Sequence, residues 1–74
     1  MINELDLVVL TSDFPDSQLK AGDIGTVVHV YPSGSAFEVE VMTVDGKTVD
    51  VITVEASQVR PIGEMEVMHS RSWT

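Results

Sequence analysis

Thirteen valines in a chain of 74 residues, gathered into short runs between turn-forming residues, constrain the fold more than any other feature. Branching at Cβ restricts χ1 against a helical turn and suits the pleated surface of a sheet. Four such runs stand out: "LDLVVL" at 5–10, "IGTVVHVY" at 24–31, "AFEVEVMT" at 36–43 and "KTVDVITV" at 47–54. A fifth and shorter run, "QVRPI" at 58–62, contains Pro61, which has no amide to donate and so belongs at a sheet edge or a strand end. Between the runs lie "DFPDS", "KAGD", "PSGS", "DG" and "EAS", all turn chemistry. No helix of ordinary length is expected, although "EASQV" at 55–59 has room for one helical turn before the last strand.

The third run is the most regular. Phe37, Val39 and Val41 alternate with Glu38, Glu40 and Met42, which predicts one buried and one wet face. The following "VDG" fixes how the next strand pairs. A two-residue Asp45–Gly46 turn would set Val41 against Asp50, a charge on the apolar side. A three-residue loop, Val44 to Gly46 with Gly46 left-handed, instead pairs Val41 with Val49 and Val39 with Val51. The second register is the expectation. It turns Glu38, Glu40, Met42, Asp50 and Ile52 outward together, with Glu40 opposite Asp50.

Five strands, a long polar first loop, a hairpin and one helical turn before a short last strand predict an all-β, five-stranded SH3-like barrel over residues 1–62. Closing a small sheet also protects its edges. In that architecture "KAGDIGTVV" marks a sharp turn and a bulged entry into the second strand. Gly22 and Gly25 supply backbone freedom there, and Asp23 bonds to nearby backbone donors. A phosphate loop is the competing reading of these glycines. It needs a helix to follow, usually with a Lys and a Ser or Thr, and here a strand follows.

The stretch from Leu5 to Ile62 resembles a family of small bacterial proteins of unknown function. These share an "LD-V-L" strand, an "L-K-GD-GTVV-VY" block, a "YEVEF" strand, "DG-T" and a closing "LTV…QLRP". Its "GD-GTVV" portion is also similar to barrels of the KOW type found in ribosomal and transcription proteins. The resemblance implies an SH3-like barrel with no assigned activity. Neighbouring toxin-like genes among relatives imply an antitoxin or immunity role. The chain departs from the pattern at Phe37, where a tyrosine is commoner, and at Asp50, where an apolar or small residue is usual.

Twelve acidic residues against four basic ones give a formal charge of −8. That field repels a phosphate backbone, and Lys20, Lys47, Arg60 and Arg71 are scattered rather than clustered. Nucleic-acid binding of the KOW kind is therefore the alternative, and a basic protein partner suits the charge better. The chain has no cysteine, so neither disulfides nor thiolate metal sites are available. No basic segment precedes the first apolar run, and no run approaches membrane-spanning length. A cytoplasmic protein is expected.

Catalytic signatures are lacking. His29 and His69 have no ligand-type spacing, and His29 is expected on the outer face beside Tyr31. Glu38, Glu40 and Asp50 on an open sheet face lack the burial that separates the pKa values of a catalytic carboxylate pair. The serines fall in turns, and "PSGSA" is no nucleophile elbow. No catalytic, cofactor-binding or metal site is expected. The function expected is a non-catalytic protein-interaction module whose partner surface is Glu38, Glu40, Met42, Asp50 and Ile52. Acidic groups would steer a basic partner, and the apolar ones would supply desolvated contact. Beyond the barrel, residues 63–74 carry Met65, Val67, Met68 and Trp73. They form either a loose tail or an extra strand or arm, and Val67 and Trp73 are the expected contacts of a homodimer.

Overall fold

Each of the valine-rich runs is a strand in the computed structural model, which describes residues 1–73. The strands are β1 (Leu7–Leu10), β2 (Ile24–Val30), β3 (Ala36–Met42), β4 (Thr48–Glu55) and β5 (Val59–Pro61). All pair antiparallel in a single sheet of order β4-β3-β2-β1-β5, the SH3-like order. One apolar cluster takes residues from every strand: Val8, Leu10, Val27, Phe37, Val39, Val41, Ile52, Val54 and Val59, with Leu19 from the first loop. A single sheet can enclose such a core only by curling until its two ends face each other. β5, with its proline, is an edge strand as expected.

The helical turn before β5 spans Ala56–Gln58 and is held by a reciprocal cap between Glu55 and Gln58. A second 3₁₀ turn, Pro15–Ser17, lies in the first loop and was not expected. That loop is pinned where Phe14 and Leu19 exchange backbone hydrogen bonds of 2.8 and 3.1 Å, which turns Leu19 into the core. β1 is shorter than its apolar run. Leu5 sits in a turn with φ +72°, its amide donating to the Val27 carbonyl at 2.7 Å.

The two glycines at the start of β2 serve different ends. Gly22 has φ +97° and makes the turn, while Asp23 accepts the Lys20 amide at 2.8 Å. Gly25 is needed for space: a Cβ there would lie 2.4 Å from Val39 Cγ1 and 3.0 Å from the Glu40 carbonyl oxygen. The bulge expected at this entry lies further along, at Val28, between the pairs Val27–Val39 and His29–Glu38. It lets Val27 and Val30 both face inward, although strict alternation would turn one of them out.

The β3–β4 register corrects the expectation. The loop is the three-residue one, with Gly46 at φ +92° and the Thr43 amide bonded to the Lys47 carbonyl at 2.8 Å. Met42 pairs with Thr48, but Val41 then pairs with Asp50 and Val39 with Ile52, leaving Val49 as an extra residue in a bulge. Beyond the bulge every β4 side chain faces opposite to its expected side. Ile52 and Val54 go into the core, and Val51 and Thr53 face out. The exchange buries two aliphatic side chains in place of a valine and a threonine hydroxyl, so burial favours the bulged register.

Candidate interaction surface

The outer face of β2, β3 and β4 carries Glu38 and Glu40 as expected. Glu38 lies across from His29 on one side and Thr53 on the other. Its Oε2 accepts two hydroxyls, from Tyr31 and from Thr53, each at 2.6 Å. These bonds, the Thr53 one first, favour the charged form and lower the Glu38 pKa; the phenol of Tyr31, bonded to that carboxylate, is raised. His29 meets Tyr31 edge-on, with ring centroids 4.8 Å apart. Glu40 accepts the Thr48 hydroxyl at 2.7 Å. Around these acids stand four partly exposed apolar side chains: Val28, Tyr31, Met42 and Val51.

Two members of the expected surface do not belong to it. Ile52 is 8% exposed and packed in the core. Asp50 faces the core side at its rim, opposite Val41. One oxygen of its carboxylate accepts the Ser17 hydroxyl and the other accepts the Val51 amide at 2.8 Å. The first loop thus provides the partner that makes a charge tolerable there. Both corrections have one cause, the bulge at Val49. Val51 takes the place opposite Glu40 that Asp50 was expected to fill, and Thr53 the place opposite Glu38 expected of Ile52.

A second feature involves the residues after β5. Among the described residues they form no strand. The Gly63–Glu66 turn is closed by a fork from Arg60 to both Glu66 oxygens, each at 2.7 Å, and by the Gly63 amide at 2.5 Å. These contacts, Arg60 foremost, pull the Glu66 pKa down to about 2. The chain then runs as an arm across the start of β2 and the end of β3. Arg71 forks onto Asp23, Nε to Oδ1 at 2.8 Å and one terminal nitrogen to Oδ2 at 2.7 Å, and that nitrogen also donates to the Gln18 carbonyl at 3.0 Å. The Arg71 bond is the main reason the Asp23 pKa is lowered.

Arm and sheet bound a groove of about 500 Å³, lined on the sheet side by Leu7, Ile24, Thr26 and Met42 and on the arm side by Met68 and Trp73. Of the two expected dimer contacts, Trp73 lines the chain's own groove and Val67 is 89% exposed. Sequence reasoning read Asp23 as a turn residue and Arg71 as one scattered base. Nothing in the sequence links two residues 48 positions apart.

Among the described residues no group of three or more His, Asp or Glu side chains is placed to hold a metal ion, and no helix is long and apolar enough to cross a membrane. Strand order, curled sheet and open acidic–apolar face define a small all-β domain of SH3-like topology. A model of the family described as a domain of unknown function, DUF4926, matches residues 4–61, and the chain belongs to that family. Comparison with curated proteins and with solved structures finds no match in either.

Proposed function

We propose that the protein is a non-catalytic interaction module that binds a basic protein partner through the outer face of β2, β3 and β4. The observation carrying this reading is the composition of that face, where Glu38 and Glu40 stand among the exposed Val28, Tyr31, Met42 and Val51. Acidic groups steer encounter and exclude wrong partners, while aromatic and aliphatic groups between them give contacts that desolvate on binding. The formal charge of −8 acts over the whole surface in the same direction. An antitoxin or immunity protein is the sharper form of this proposal and rests on the resemblance. Self-association through Val67 and Trp73 is a separate element of it, read out by sedimentation of the full chain at moderate salt.

The test compares the wild-type chain with a Glu38→Gln/Glu40→Gln variant as bait in the native host. A partner recovered at low salt by the wild type, and lost both with the variant and at high salt, is the expected result. Equal recovery by both chains would place the contact elsewhere. The rival reading, KOW-like nucleic-acid binding, needs a basic strip with stacking aromatics. Saturable micromolar binding of RNA or DNA in a low-salt gel-shift titration would establish it over the first.

A further inference from the structure

The arm makes few commitments to the sheet it crosses. Among the described residues, the hydrogen bonds joining residues 67–73 to the rest of the chain are those of Arg71, all from its side chain. No backbone ladder fixes the arm, and Met65 and Val67 gain little cover, being 96% and 89% exposed. The sheet side, by contrast, is a ready site. Asp23 is held in its turn by the Lys20 amide at 2.8 Å, and its two oxygens with the Gln18 carbonyl present three convergent acceptors. Beside them Leu7, Ile24 and Met42 offer apolar surface. Planar guanidinium recognition by two carboxylate oxygens is strong and geometrically exacting, and a lysine cannot reproduce it. The arm's own Met68 and Trp73 stand across the groove from that apolar surface.

We infer that the Asp23 groove is a peptide-binding site for a segment carrying an arginine flanked by apolar or aromatic side chains, and that residues 68–73 occupy it in cis as a built-in competitor. The site belongs to the part of the chain that the family shares, residues 4–61, whereas the arm lies beyond it. A tethered segment acts at an effective concentration of the order of millimolar, so an outside peptide must outcompete it or arrive when it is released. The groove shares Glu40 and Met42 with the outer-face patch, but its arginine-binding end, Asp23 and the Gln18 carbonyl, is not part of that patch, so Asp23→Asn tests this inference apart from the first proposal.

The experiment uses the full-length chain carrying Arg71→Ala and Trp73→Ala, exposed changes that free the groove. Two synthetic peptides are titrated against it by amide-resolved NMR: residues 64–73, EMEVMHSRSW, and the same peptide with Arg71→Ala. The expected result is saturable shifts at Gln18, Asp23, Ile24 and Thr26 with the first peptide, and binding about 10-fold or more weaker with the second, as befits a charged bidentate contact. Wild-type protein should bind the first peptide more weakly than the variant does. Adding Asp23→Asn, which keeps an acceptor for the Lys20 amide, should abolish the preference for arginine. Equal binding of the two peptides, no saturable shift at these amides, or wild-type binding as tight as the variant's would each overturn the inference.

Discussion

At Gly25 the backbone of β2 runs so close to β3 that a methyl group has nowhere to go. Its nearest neighbours are the fully buried Val39 side chain and the Glu40 carbonyl, neither of which can move freely. Gly25→Ala should destabilise the chain by about 1–3 kcal/mol through overpacking. In a domain this small each kcal/mol lowers Tm by roughly 4–8 °C, so a thermal melt resolves it. The neighbouring residues on β4 give a paired test of register. Ile52→Ala should cost about 2–4 kcal/mol as a core truncation, whereas Val51→Ala on the outer face should stay within about 0.5 kcal/mol. Urea denaturation of both variants checks this. The reverse order would restore the unbulged register that the residue pattern by itself suggests.

Among the elements, the β3–β4 hairpin and the first loop depend on each other. The bulge at Val49 carries Asp50 to the rim of the core, and the Pro15–Ser17 turn brings a hydroxyl to it from 33 residues away. Ser17→Ala leaves one oxygen of that carboxylate without its protein partner and should cost about 1 kcal/mol. Ser17→Ala combined with Asp50→Asn should cost less than the sum of the two single changes, a coupling that a double-mutant cycle in urea measures. The hairpin turn was legible in "VDG", because only the third position needs a left-handed residue and glycine occupies it. The bulge was not, because no turn residue marks it. Its cause is a comparison between burying Ile52 with Val54 and burying Val51 with Thr53, which depends on what Phe37 and Val39 meet across the sheet.

For the molecule as a whole, charge and arm docking share one control variable, pH. The folded pKa values of Asp23 and Glu66 lie below their ordinary values of 3.8 and 4.5. What these carboxylates contribute is therefore fully present above those ordinary values. It is lost as pH falls through the folded values, for Glu66 between 4.5 and about 2. The arm should come away from the groove as pH falls below 3.8, the ordinary value of the Asp23 carboxyl that holds Arg71, and the emission of Trp73, the chain's only tryptophan, should shift to the red as it becomes fully hydrated. An Asp23→Asn variant should show the hydrated emission already at neutral pH. Near neutral pH the net −8 opposes compaction, so added salt should raise Tm until the repulsion is screened.

Local features of the sequence were enough to determine the strands, the turns between them, the left-handed glycine of the hairpin and the edge position of a strand containing proline. Each follows from backbone preference or period-2 alternation within a few residues. They also determined that Glu38 and Glu40 share a wet face, because β3 alternates without interruption. Tertiary structure alone decided which β4 residues join them, since a one-residue bulge reverses every side chain beyond it and is chosen by burial summed across partner strands. It alone brought Arg71 to Asp23 and Ser17 to Asp50, contacts 48 and 33 residues apart that leave no local pattern. The reason is the same in both cases: each contact joins a loop or arm to a residue distant in sequence that only the folded chain brings near, and no short stretch of the chain contains both partners.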